Sequence, residues 1–129
     1  MNGKILLLVV LSVVLQPRFI RAEEQSEGKR LYQTYCTGCH GASGKGDGPA
    51  GKTLPVRPAD HTNSKKMNQY SDDHLFTVIS KGGGSVGKSA QMPAWGAVLK
   101  EAQILEVVGY IRTLSGANKD AAQGQARAK

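Results

Sequence analysis

Cys36, Cys39 and His40 stand together as Cys36-Thr37-Gly38-Cys39-His40, and the sequence uses cysteine nowhere else. Two thiols three positions apart on a tight turn can each add across one vinyl group of a porphyrin. The residue after the second thiol then lies beneath the iron, where a neutral imidazole nitrogen can bind. C-x-x-C-H is the attachment signature of a c-type haem. Small Thr37 and Gly38 let the backbone run close to the ring. The expectation is one haem c per chain, anchored by Cys36 and Cys39, with His40 on the iron.

Three plainer chemistries compete for the same residues. A dithiol redox pair would sit in a βαβ pattern, which this sequence lacks. Structural zinc needs four ligands, usually from two paired clusters, and there is no second cysteine pair. A disulfide across two intervening residues leaves His40 without a role.

The haem motif needs elements to hold it. From Glu23 to Tyr35 the pattern predicts a helix, with Glu23, Glu24 and Glu27 complementing its dipole and Leu31, Tyr32 and Tyr35 on the apolar side. It runs directly into Cys36. Gly41 to Pro58 holds five glycines and three prolines in 18 residues, which predicts an irregular loop over one face of the ring with Leu54 inward. Its Gly-Lys-Gly cluster lacks the spacing and preceding strand of a phosphate loop. Ser71, Asp72 and Asp73 start a middle helix of about ten residues that ends at Gly82-Gly83-Gly84. From Glu101 to Ser115, Ile104, Val107, Val108, Ile111 and Leu114 recur at helical spacing, with Gly116 as the stop.

The second axial position has four candidates. Met67 lies in the polar run Lys65-Lys66-Met67-Asn68-Gln69, which predicts a partly exposed packing residue. His74, in the first turn of the middle helix, is expected to face solvent. His61 follows the Pro-Ala-Asp loop and reaches a ligand site only if loop geometry allows. Met92 is held on a loop between two helices by Pro93. A thioether presented there can approach the iron from the side opposite the anchor, so Met92 is the first choice.

Over roughly residues 24 to 116 the chain resembles class I c-type cytochromes, most of all small bacterial single-haem periplasmic ones, including haem modules of terminal-oxidase subunits. The resemblance rests on Gly28 and Tyr32 before the haem motif, Gly44-Lys45-Gly46-Asp47-Gly48-Pro49, Met92-Pro93-Ala94-Trp95, and Val107 with Tyr110. It implies an all-α cytochrome c fold of three or more helices around one covalently bound haem. It implies first and last helices crossing at Gly28, Tyr32 packed near Val107 and Tyr110, and the Pro49 carbonyl facing the free nitrogen of His40. Lys100 stands where the family commonly caps its last helix with serine or threonine.

A chain of 129 residues with 5% aromatic content allows one domain with a thin core that a buried haem would complete. Residues 1–22 read as a secretory signal peptide: Lys4, then Ile5 to Leu15 apolar except Ser12, then Ala22 for cleavage. Arg18 and Arg21 are unusual there and keep an uncleaved membrane anchor as the alternative. Residues 117–129 read as a disordered tail. Removing 1–22 takes away three cations and no acid, so formal charge falls from +7 to +4. No basic helix with base-stacking aromatics marks a nucleic-acid footprint, and the modest positive balance suits redox partners with acidic docking surfaces. Lys29, Lys45, Lys52 and Lys88 are the cations expected around the haem edge. The function expected is one-electron transfer in the periplasm by a monomer, without catalysis, since imidazole and thioether together close the iron. A fixed haem subunit of a larger membrane oxidoreductase is the alternative. A gas sensor or peroxidase with an open distal site is a more distant one.

Overall fold

The computed structural model describes residues 26–116, so the expected signal peptide (1–22), the expected tail (117–129) and Glu23 and Glu24 lie outside the described residues. Helix α1 (Glu27–Tyr35) begins after Ser26, later than the charge pattern suggested. Ser26 has ψ 142°, and its side chain accepts the Lys29 N–H. Short α2 (Thr37–His40) follows at once, then a loop with one 3₁₀ turn (Gly51–Thr53), α3 (Ser64–Met67), α4 (Asp72–Lys81), a second 3₁₀ turn (Gly83–Val86) and α5 (Glu101–Leu114). Among the described residues there is no strand, and none of the helices is long and apolar enough to cross a membrane.

Helices α1 and α5 cross at Gly28, where a Cβ would collide with the Glu106 carbonyl. The close approach puts Tyr32 edge-on to Tyr110 at 5.2 Å and buries Tyr32 and Val107 completely. The α1–α5 crossing is thus the one that Gly28 and Tyr32 implied. Helix α5 starts at Glu101. Lysine offers no acceptor, so only the returning half of a capping box forms: the Lys100 N–H donates to Gln103 Oε1 at 3.0 Å. Helix α4 is capped by Ser71 Oγ and ends at Gly82, whose φ of +83° favours glycine.

Helix α3 corrects the sequence reading. Met67 is 2% exposed, whereas the polar run around it predicted a partly exposed side chain. The cause lies far along the chain. Arg112 on α5 donates to the Met67 carbonyl and Asp72 Oδ1, both at 2.8 Å, and to the Tyr70 carbonyl. That clamp turns Met67 inward and leaves Lys65 and Lys66 exposed. Hydrogen bonds to charged groups are worth about 1.5–3 kcal/mol each. Arg112→Met is therefore expected to lower the melting temperature of the haem-loaded protein by roughly 10 °C. Arg30, paired only with exposed Glu27, serves as the control. Arg30→Met should shift it by no more than about a degree or two, because water and salt screen an exposed pair.

Candidate haem site

Cys36 ends α1 and opens α2. Its N–H donates to the Tyr32 carbonyl at 2.9 Å, and its own carbonyl accepts from Cys39 at 3.2 Å and His40 at 2.8 Å. Both thiols and the imidazole therefore ride on one turn at the end of the helix packed on α5. The returning loop fastens that turn from outside: Gly46, Gly48 and Ala50 donate to the carbonyls of His40, Cys39 and Gly38. Gly48 sits so close that a Cβ would overlap the Thr37 and Gly38 carbonyls.

Burial, and secondarily the neighbouring Cys39, push the Cys36 thiol up to about 12. A dithiol redox site needs a lowered thiol, and burial of Cys36 works against that. Among the described residues no group of three or more His, Cys, Asp or Glu side chains is placed to hold a metal ion.

Burial holds the His40 imidazole below its usual pKa, and a backbone hydrogen bond opposes the shift. The partner is the Ala59 carbonyl, 3.1 Å from Nδ1. This corrects the expectation of Pro49. Gly48 and Ala50, on either side of Pro49, bond the Cys39 and Gly38 carbonyls of α2, and the His40 ring meets the chain later, at Ala59. A neutral His40 donating through Nδ1 keeps its Nε2 lone pair free for iron.

His61 belongs to the wall of His40. The two rings stack at 4.3 Å with 16° between planes, and His61 Nδ1 lies 3.0 Å from Tyr32 Oη. Burial, then the nearby His40, lower His61 to about 3, against the opposing effect of Asp60. Burial raises the Tyr32 phenol. Tyr32 therefore donates and neutral His61 accepts. His61 is tied down beside the first ligand.

The Cys36 and Cys39 thiols, His40, Ala59 and His61 open on one cavity of about 570 Å³. Cys36, Cys39 and His40 line part of it, and Leu54, Val56, Leu75, Val78, Ile79 and Pro93 supply apolar walls. Volume, apolar lining and few polar groups suit a cofactor, and two thiols beside an imidazole suit haem c. Met92 lines it from the α4–α5 loop. That loop is pinned to the end of α4. Gly83 donates to the Met92 carbonyl at 3.0 Å, while Trp95 and Gly96 donate to the carbonyls of Ile79 and Ser80 at 2.8 and 3.0 Å. Met67 and His74 also line the cavity. His74 thus corrects its expected solvent exposure: its Nε2 is buried. Positions 74, 75, 78 and 79 share one helical face, and that spacing could have revealed it. Of the four lysines expected at the haem edge only Lys88 lines the cavity, joined by Arg57, which the sequence reading passed over.

Comparison with known proteins agrees with this site. No curated protein matches the sequence. Among solved structures, a chain of the Kuenenia stuttgartiensis reducing HAO-like protein complex is similar, at 26% identity and a TM-score of 0.58. The match covers 72% of this chain and 43% of that one, so this chain spans less than half of its structural relative. Residues 23–111 match the family described as cytochrome c oxidase, cbb3-type, subunit III, a stretch that contains the haem motif, the Met92 loop and most of α5. With its all-α cytochrome c fold and a single site for haem c, this haem-binding electron-transfer protein belongs to the cytochrome c oxidase, cbb3-type, subunit III family.

Proposed function

We propose that the chain is a fixed electron-transfer subunit of a larger oxidoreductase, exported to the periplasm, with His40 and Met92 as the two axial ligands of its haem. Bound haem c supplies a one-electron iron couple. The protein's part is to hold and tune it. Cys36 and Cys39 anchor one edge, Ala59 orients His40, and the apolar walls exclude water, which together with a thioether ligand raises the potential. With His40 and Met92 both holding the iron, no position would remain for a substrate, and the chain would carry electrons without catalysing a further reaction.

The observation that carries the subunit reading ahead of the free carrier is the family match over residues 23–111. The similarity to a chain from a redox complex supports it. The charge of +4 left after removal of residues 1–22 suits partner surfaces that are acidic. Fractionation of the native cell tests it. The haem protein is expected to stay with a detergent-extracted oxidoreductase through a high-salt wash, which strips exposed ion pairs but spares a permanent interface. Release as a monomer by periplasmic extraction would restore the free carrier.

A further inference from the structure

His74 Nε2 is the side-chain polar atom that is buried without any hydrogen-bond partner among the described residues. Such an atom costs about 1–3 kcal/mol when nothing satisfies it, so it calls for a partner. The ring around it is firmly placed. The His74 N–H donates to the Ser71 cap at 3.1 Å, and the imidazole stacks on Tyr70 at 4.7 Å with 10° between planes. Tyr70 is in turn fixed by Lys88, whose Nζ lies 3.1 Å from its hydroxyl and 5.0 Å from its ring centroid. Tyr70, His74 and Lys88 all line the haem cavity.

Their place within the cavity says which part of the cofactor they meet. Vinyl and propionate groups occupy opposite edges of a haem. The thioether edge would lie at Cys36, preceded by Tyr35, and Tyr35 packs on Trp95 at 5.2 Å. Trp95 is bonded to the Ile79 carbonyl at 2.8 Å, so the C-terminal end of α4 sits at that edge. His74 lies five residues earlier, about 7.5 Å back along the helix. We propose that His74 Nε2–H and the Lys88 ammonium hold a haem propionate, with Tyr70 positioning both. The carboxylate gives the orphaned nitrogen an acceptor and gives Lys88 a counter-charge inside the crevice, where such bonds are strongest.

This inference rests on haem occupying the cavity, and its test separates the two. In the haem-loaded full chain, the propionate bending mode is followed by resonance Raman, the midpoint potential by titration, and methionine ligation by the far-red charge-transfer band. His74→Leu is expected to shift the propionate mode and move the ferric-to-ferrous ratio about threefold toward ferric, since a less neutralised negative charge favours the oxidised iron. The far-red band should persist. His74→Gln, which keeps an N–H donor, should bring the mode back toward wild type, and Lys88→Gln should shift it again. If His74→Leu does not fold, the Gln pair carries the test, with the mode near wild type in His74→Gln and shifted in Lys88→Gln. An unchanged mode in His74→Leu, or in Lys88→Gln where that pair stands alone, with haem bound and the band intact, overturns the inference and leaves the haem reading standing. Loss of the low-spin spectrum in His74→Leu makes His74 an iron ligand and overturns it too. Failure of the wild-type chain to take up haem overturns the underlying reading itself.

Discussion

Met92→Ala is expected to turn a closed, low-spin iron into an open one. The variant should lose the far-red charge-transfer band, bind added carbon monoxide when reduced, and drop in reduction potential. Axial ligands move haem potentials over about 0.8 V, so a fall on the order of 0.1 V or more is expected. The reasoning is positional. Gly83, Trp95 and Gly96 hold the Met92 loop against the end of α4, and alanine leaves that backbone network in place. What disappears is the thioether. Met67→Ala should behave differently, because Met67 is packed in the core and 2% exposed. It should cost about 2–5 kcal/mol of stability while the band and the carbon monoxide response stay near wild type. If Met67→Ala is the variant that loses the band, the distal ligand has been assigned to the wrong methionine. If the wild type already binds carbon monoxide freely, the iron has no sixth ligand, and a sensor or peroxidase reading gains.

Replacing both Cys36 and Cys39 with alanine is expected to yield a haem-free, largely unfolded chain, read by loss of the Soret band and of far-ultraviolet helicity. An enclosed void of 570 Å³ would cost about 14 kcal/mol at ~24 cal/mol per Å³. Because the crevice admits water and its walls can close in, the actual cost is smaller. Even a third of that value is comparable to the stability of a small domain, about 5–15 kcal/mol. Of the buried core, Met67, Leu75, Ile79 and Ile111 line the cavity and would lose their cover, which leaves Leu31, Tyr32, Leu99, Ile104, Val107 and Val108 packed away from it. A well-folded, cooperatively melting double variant would show that the α1–α5 core suffices alone.

What the sequence disclosed follows from how local each cause is. The haem motif was legible because covalent attachment fixes the spacing of Cys36, Cys39 and His40. Helices α4 and α5 were legible because their caps and apolar period lie within the segment: Ser71, Gly82, and Ile104 through Ile111. Gly28 was legible only through resemblance, since the Glu106 carbonyl it meets is 78 positions away. The misreadings share a cause. Met67 is turned inward by Arg112, which an amphipathic pattern shows only as a polar residue on α5. The partner of His40 is a backbone carbonyl, and which carbonyl depends on the path of a glycine-rich loop. Ala59 carries no side-chain signal for that role. His61 and His74 both stand among the candidate iron ligands, with His74 expected to face solvent, and the structure gives them other surroundings. One stacks on His40 and the other on Tyr70.

The central claim is that this chain carries one haem c by covalent attachment at Cys36 and Cys39, and one measurement addresses it most directly. The chain is expressed with a c-type maturation system, denatured, and extracted with acidified organic solvent, and the intact mass and haem stain of the polypeptide are then read. The colour is expected to stay with the polypeptide, and the mass to rise by a single haem. Extraction of all the haem into the organic phase, leaving a chain of unmodified mass, would contradict it.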